Sequence, residues 1–269
     1  MLHCVFHPAP PPSAMGASKS VLAIKVKRNG ELVLVNDTYR TFLRDRCPDF
    51  AFVRCKLTPE MQHLVGANWD AITTGATPAM KRKGHASPVI YFYDSFYTKL
   101  FEAAPEIRSL FRASIIVQGK ALISIIQSVV KGPLTADAIG EVVELAYRHN
   151  KYGIKMQYYN ILGRVLLLAL GECTGDELWD ATLDLAWRTV YAYMMTAMSP
   201  VLYHGVIDPS DEDIALAKQG RFRRDMVSKW TPKITSSSVQ PTSSITSTTE
   251  RWATATPTPR GVCHQARDR

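Results

Sequence analysis

A single histidine, His149, lies in an apolar stripe from which it could bind a metal. Helical spacing places Val142, Leu145 and Ala146 on the same face, which should point toward a core. An imidazole buried without a hydrogen-bond or metal partner costs on the order of 1–3 kcal/mol. Two interpretations follow, a core histidine with a hydrogen-bond partner or a metal ligand, and spacing alone favours the former.

A second polar side chain, Gln118, also falls in an apolar stripe. A helix over about residues 114–130 places Gln118 on one face with Leu122, Ile125 and Val129. Its amide could donate hydrogen bonds into a pocket or be a satisfied core group.

Composition bounds the kind of protein that carries these residues. The chain has 269 residues, 46% hydrophobic and 21% charged, which suits one globular domain with extensions. The net charge is +8, but no nucleic-acid-binding motif accompanies it, so no nucleic-acid partner is expected. Five cysteines without a C-x-x-C pair indicate a reducing compartment. No run approaches the roughly eighteen apolar residues of a membrane span, so a soluble, cytoplasmic protein is expected.

The periodicity predicts an all-α fold of six long helices. The sequence Thr58-Pro59 combines an N-cap with a proline at the first helical position, and Ser87-Pro88 begins the second helix. The predicted helices cover about 58–74, 88–101, 114–130, 136–150, 157–172 and 179–199. Residues 75–86 are predicted to be a loop.

Extensions flank the helical region on both sides. Residues 1–56 form an N-terminal extension, with 1–20 predicted to be disordered and 21–54 to contain a β-hairpin around Asn29-Gly30. The Pro- and Ser-rich start leaves organelle targeting open. Residues 57–207 form the main domain. Residues 208–269 are predicted to be a basic, Ser/Thr/Pro-rich tail that is largely disordered.

Four stretches of the helical region follow one another at characteristic intervals. They are Phe96-Tyr-Thr-Lys-Leu-Phe-Glu-Ala-Ala-Pro-Glu-Ile-Arg-Ser-Leu-Phe111, Gln118-Gly-Lys-Ala-Leu122, Leu145-Ala-Tyr-Arg-His-Asn-Lys-Tyr-Gly-Ile154, and Trp187-Arg-Thr-Val-Tyr191 with Met198. In this order and at these intervals they resemble the haem-binding globins of the three-over-three type. The resemblance covers about Leu57 to His204 and is to flavohaemoglobin- and neuroglobin-like domains without a reductase. The fold implied is a set of helices packed around a haem pocket.

The resemblance implies a proximal side and an apolar lining for this pocket. His149 would bind the iron of a b-type haem, and its other ring N–H would donate to a carbonyl that fixes the tautomer. Phe111 would pack flat on the porphyrin, with Leu122 and Ile154 lining the pocket. Tyr159 matches the proximal tyrosine of flavohaemoglobins.

On the opposite face, Tyr97 and Gln118 resemble the pair of hydrogen-bond donors that flavohaemoglobins use. A shift of the Gln118 helix by one turn would bring Ser114 or Ile115 there instead. Gly119 would allow two helices to approach closely. No glutamate on the last helix matches the one that polarises the flavohaemoglobin histidine; His204 or its neighbours fall there.

The function implied is reversible binding of dioxygen, and of nitric oxide, at one haem. Three alternatives stay open: a nitric oxide dioxygenase that takes electrons from a separate reductase, a gas or redox sensor, and a globin-shaped interaction module without haem. No flavin- or nicotinamide-binding pattern follows Asp208.

Overall fold

Helices make up most of the chain that the structure describes. The structure, a computed structural model, describes residues 20–225 except 53, 112–118, 120, 121, 123 and 129–135. All of these residues belong to one compact unit. The predicted all-α, globin-like fold class is confirmed. Within the described ranges, no helix is long and apolar enough to cross a membrane.

The elements follow one another with short connections. The helices are α1 (Asp37–Arg46), α2 (Pro59–Thr73), α3 (Pro78–Lys83), α4 (Pro88–Ala103), α5 (Ala136–Lys151), α6 (Gln157–Thr174), α7 (Ala181–His204) and α8 (Asp211–Lys218). Residues 119, 122 and 124–128, between α4 and α5, are also helical. Two 3₁₀ turns are Pro48–Phe50 and Pro105–Leu110. The strands are β1 (Ser20–Leu22), β2 (Ile24–Val26), β3 (Glu31–Leu34), β4 (Cys55–Lys56) and β5 (Arg221–Arg223).

The core lies between helices that pack in pairs. Helix α4 packs on α6, α5 packs on α7, and α2 contacts α4, α6 and α7. A buried polar chain joins three of them: the Trp187 indole N–H donates to Asn68 Oδ1 at 2.9 Å, and Asn68 Nδ2 donates to Thr174 Oγ1 at 2.9 Å. Because these groups are satisfied, they fix the relative position of α2, α6 and α7 without an unpaired polar group.

Gly119 lies where the predicted close approach of two helices occurs. A Cβ at this position would lie 2.8 Å from Cε1 of the Tyr93 ring on α4. A side chain at this position would force the Tyr93 ring to shift. The prediction that Gly119 allows the two helices to approach is confirmed.

Two local predictions were wrong for identifiable reasons. Residues 78–83, predicted as a loop, form α3, because Thr77 accepts a hydrogen bond from Met80 N at 3.2 Å and Pro78 occupies the first turn. Helix α7 continues past Pro200 to His204. Proline removes the N–H that would bond to the Thr196 carbonyl, and the Ser199 hydroxyl donates to that carbonyl at 3.1 Å instead.

The predicted hairpin is present but is only part of the N-terminal extension. Strands β2 and β3 pair antiparallel around Asn29-Gly30, and β4 extends the sheet. Helix α1, which was not predicted, follows Asn36, whose side chain accepts a hydrogen bond from Thr38 N at 2.8 Å. Residues 1–19 lie outside the described residues.

The predicted tail boundary at residue 208 is too early. Ser210 and Asp213 form a capping box that begins α8. Strand β5 then pairs antiparallel with β1, and Phe222 is buried. Apolar residues in this charged segment therefore bury against the rest of the unit. The predicted disorder beyond residue 225 concerns residues outside the described ranges.

Candidate functional site

His149 lies in the last turn of α5, and its ring has one defined partner. Nδ1 lies 2.7 Å from the Leu145 carbonyl oxygen, four residues earlier. Because a carbonyl only accepts, Nδ1 carries the proton and Nε2 is the ring nitrogen with a lone pair. Burial lowers the pKa of His149, against a smaller opposing effect of the Leu145 bond. The neutral imidazole with a free Nε2 is the form that binds a metal.

The residue after His149 joins α5 to the end of α7. Asn150 Nδ2 donates to the Val201 carbonyl at 3.1 Å and to the Val206 carbonyl at 3.2 Å. The Ile154 N–H donates to the His149 carbonyl at 3.1 Å. These bonds hold the end of α5 in place, and nothing in the spacing of Asn150 predicted them, since the partners lie more than 50 residues away.

Tyr159 lies against the histidine from α6. The two ring centroids are 5.8 Å apart and the planes are inclined by 48°. The Tyr159 hydroxyl is buried and has no hydrogen-bond partner among the described residues. Burial raises the pKa of Tyr159, so the hydroxyl keeps its proton. A buried donor without an acceptor is costly, and it suits a site that takes up another group.

Three aromatic side chains form a second group, which we call the α4 aromatic cluster: Tyr97, Phe101 and Phe111. The centroid of the Phe111 ring lies 5.5 Å from that of Tyr97 and 5.4 Å from that of Phe101, and both pairs are edge-to-face. Tyr97 is 5% exposed, whereas Phe111 is half-buried. Burial raises the pKa of Tyr97 to about 12, so it remains a hydrogen-bond donor at neutral pH. Phe101 belongs to this cluster although it was not among the predicted pocket residues.

The other predicted lining residues are half-buried or outside the described ranges. Leu122 and Ile154 are partly exposed and pack against the core. Gln118, Ser114 and Ile115 lie outside the described residues, so the distal donor predicted at one of these positions stays a prediction. Half-buried apolar side chains are what the wall of a ligand pocket requires.

A cavity of about 310 Å³ opens along α4 beside Tyr97. Its lining is Asp94, Tyr97, Thr98, Phe101, Glu102 and Arg108. The guanidinium carbon of Arg108 lies 4.7 Å from the centre of the Phe101 ring. The described lining contains two members of the α4 aromatic cluster but not His149. Among the described residues, no hydrogen bond or ring contact joins His149 and Tyr159 to this cluster.

These residues fit a haem. No group of three or more His, Cys, Asp or Glu in the described part of the chain could hold a metal ion by itself. One imidazole is enough where a porphyrin supplies the other donors. His149 would hold the iron through Nε2, Phe111 would contact the ring, and Leu122 and Ile154 would contribute apolar surface.

His204, the last residue of α7, has its partners within the fold. Its Nε2 lies 2.9 Å from the Tyr39 hydroxyl of α1, and its ring packs on Tyr203 and Phe222. Burial lowers the pKa of His204 to about 4, so it is neutral at physiological pH. His204 thus joins the N-terminal extension to α7.

Comparison with known proteins finds similarity over the region that contains these residues. Residues 94–198, which contain His149 and the α4 aromatic cluster, match the globin family model. The flavohemoprotein of Bordetella pertussis is 28% identical over 142 residues, 51% of this chain and 32% of that protein. The flavohemoprotein of Bacillus subtilis is 26% identical over 108 residues, 38% of this chain and 26% of that protein. That of Halalkalibacterium halodurans is 34% identical over 100 residues, 36% of this chain and 24% of that protein.

The chain therefore spans about a third or less of the length of these relatives, between 24% and 32%. The helical fold and the family match agree, and residues 94–198 of this chain are a globin domain.

Proposed function

We propose that this protein binds dioxygen and nitric oxide reversibly at a single b-type haem, with His149 as the iron ligand. The observation that carries the proposal is the 2.7 Å bond from His149 Nδ1 to the Leu145 carbonyl, which leaves Nε2 as the ligating nitrogen. When bound, the haem would supply the iron at which the gas ligand is held.

The chain's own residues have separate tasks in this proposal. The neutral His149 ring donates to Leu145 and is thereby kept in one tautomer and one orientation. The protonated Tyr97 hydroxyl supplies a donor to a gas ligand with partial negative charge. The apolar walls at Phe111, Leu122 and Ile154 restrict the access of water, which strengthens that hydrogen bond.

Removing the His149 imidazole tests the proposal directly. The wild type should give a Soret band when haem is added, and His149→Ala should abolish it because the ligand is gone. His63→Ala, at an exposed histidine of α2, is the control and should bind haem like the wild type. A wild type that stays colourless would end the haem proposal, and haem bound equally by His149→Ala would require another ligand.

A second candidate function is nitric oxide dioxygenation with a separate reductase. It is favoured by the relatives, whose name, flavohemoprotein, joins a flavin to a haem, and by Tyr159 beside His149. Conversion of nitric oxide and dioxygen to nitrate consumes one electron per turnover, so sustained nitrate formation should require an added reductase. Turnover that stops with ferric haem even when a reductase is supplied would favour a carrier or a gas or redox sensor.

A further inference from the structure

The 3₁₀ turn Pro48–Phe50 lies on the first turns of α6, although it belongs to the N-terminal extension. The Asp49 backbone N–H donates to Asn160 Oδ1 at 3.1 Å, and Asn160 Nδ2 donates to Asp49 Oδ2 at 2.9 Å. Arg164 Nε lies 3.5 Å from the same carboxylate oxygen. The two reciprocal bonds fix the turn next to Tyr159, the residue that precedes Asn160.

Phe50 fills the space that a side chain at Gly163 would need. Its ring is 0% exposed. A Cβ on Gly163 would lie 2.4 Å from Cε2 of Phe50 and 2.5 Å from Cε1 of Tyr191. The Phe50 and Tyr191 ring centroids are 4.5 Å apart. In a close-packed interior these three groups cannot move independently, so a displacement of Phe50 must displace Tyr191 or α6.

Tyr191 links Phe50 to Tyr159, which lies beside His149. The Tyr191 hydroxyl donates to the Tyr159 carbonyl at 2.6 Å. Because burial raises the pKa of Tyr191 well above its usual range, this hydroxyl keeps its proton at neutral pH. The Tyr159 ring in turn lies 5.8 Å from the His149 ring. A continuous set of contacts therefore runs from Phe50 through Tyr191 and Tyr159 to His149.

We propose that Phe50 is a positioning residue for His149 and acts through Tyr191 and Tyr159. The turn lies before the matched globin residues 94–198, so a segment outside that match would control the proximal side of the haem. The inference rests on the proposed ligation of haem by His149. It assigns the N-terminal extension a role in orienting the imidazole and hence in the strength of the iron–histidine bond.

The test compares two leucine substitutions in the same extension. Phe50→Leu should shift or broaden the iron–histidine stretching band in the resonance Raman spectrum of the ferrous, ligand-free protein. Phe42→Leu is the control, since Phe42 packs on Tyr203, with centroids 5.2 Å apart, away from Tyr159. An unchanged band in Phe50→Leu, or equal shifts in both variants, would refute the proposal.

Two variants at Asp49 give a milder test that does not disturb the core. Asp49→Ala removes the carboxylate that accepts from Asn160, and it should shift the band in the same direction as Phe50→Leu but less. Asp49→Asn keeps an acceptor for Asn160 and should restore the wild-type band. If Asp49→Ala leaves the band unchanged, or the asparagine variant does not restore it, the turn does not act through α6.

A haem-free measurement separates this proposal from the proposed function. In the apoprotein, the ring resonances of His149 and Tyr159 should move in Phe50→Leu and stay in place in Phe42→Leu, as followed by NMR. Should the wild type fail to bind haem, the proposed function falls, and the role of Phe50 in positioning His149 is decided by these resonances alone. Resonances unmoved by Phe50→Leu would disprove the coupling.

Discussion

Tyr97 and Tyr159 are two buried phenols in different circumstances. Tyr97 lies in the α4 aromatic cluster beside an open cavity, whereas the Tyr159 hydroxyl is enclosed and lacks a partner among the described residues. Burial raises the pKa of both, so each hydroxyl keeps its proton at neutral pH and is able to donate. Of the two, Tyr97 has the surroundings of a residue that meets a ligand entering from outside.

Replacing Tyr97 by phenylalanine should speed dioxygen dissociation at least about tenfold. A hydrogen bond to a charged group contributes about 1.5–3 kcal/mol, and its loss appears in the off-rate. Stopped-flow displacement of dioxygen measures this rate. Tyr91→Phe is the control, because the Tyr91 hydroxyl donates to Glu172 at 2.8 Å, and its off-rate should match the wild type. Equal off-rates for Tyr97→Phe and the wild type would show that Tyr97 does not contact the ligand.

Single residues differ in how far the sequence could predict their place. The resemblance implied that a carbonyl would accept from His149, and the structure shows that it is the Leu145 carbonyl. The resemblance gave Tyr97 and Phe111 separate roles in one pocket, and their ring contact is known only from the structure. The contact of Phe50 with Gly163 joins residues more than 100 positions apart, and only the packed fold brings them together.

Helices α3, α4 and α6 meet at one carboxylate, Glu172. Lys83 and Lys99 lie 2.7 and 2.5 Å from its oxygens, and the Tyr91 and Ser95 hydroxyls donate to it at 2.8 and 2.9 Å. Burial by itself raises the pKa of Glu172, but the hydrogen bonds from Lys83, Lys99 and Ser95 outweigh burial and lower the pKa to about 2. The carboxylate thus stabilises the packing of α4 on α6.

The interactions of Glu172 should make the free energy of unfolding depend on pH in the acid range. Because the folded pKa is about 2 and the ordinary value is 4.5, the stabilisation is complete above pH 4.5 and is lost as pH falls toward 2. After allowance for solvent screening it contributes about 1–2 kcal/mol. Urea unfolding as a function of pH should show a smaller acid loss for Glu172→Gln than for the wild type. Glu177→Gln, which loses an exposed pair with Arg82, is the control and should follow the wild type.

The helix signals explain which elements were predicted and which were missed. Thr58-Pro59 and Ser87-Pro88 stand before long periodic segments, and α2 and α4 begin there. Thr77-Pro78 carries the same signal, but the six residues of α3 are too few for a periodic pattern to emerge. Pro200 led to the opposite error, a helix end predicted too early. A proline inside a helix is tolerated when a neighbouring hydroxyl, here that of Ser199, satisfies the carbonyl that has lost its N–H partner.

At the scale of the whole molecule, the N-terminal extension is part of the folded unit from residue 20 onward, where its description begins. The Ala23 and Ile24 N–H groups donate to the Gly220 carbonyl at 2.8 and 3.0 Å. Gly220 has φ +70°, and a Cβ there would lie 2.5 Å from the Ile24 carbonyl oxygen. The N-terminal extension and the segment after α8 therefore contact each other at Gly220, a position where only glycine fits.

Substituting Gly220 should destabilise the entire unit. Gly220→Ala combines left-handed strain with a backbone clash, and we expect a loss of about 2–4 kcal/mol in the free energy of unfolding. Gly205→Ala is matched in backbone conformation, with φ +63° and nothing within 4 Å of its Cβ, and should cost only about 1–2 kcal/mol. Urea denaturation compares the two. Equal losses would mean that the contact between Ile24 and Gly220 does not contribute to stability.

The pairing of β1 with β5 sets an order of events during biosynthesis. Ser20 pairs with Arg223, so the first described strand acquires its partner only after some 200 further residues have been translated. Until then its backbone N–H and C=O groups form an open edge that another chain can pair with. Helices α1 to α8 precede β5 in the chain, so this edge stays unpaired while they are being synthesised and can meet another chain during that time.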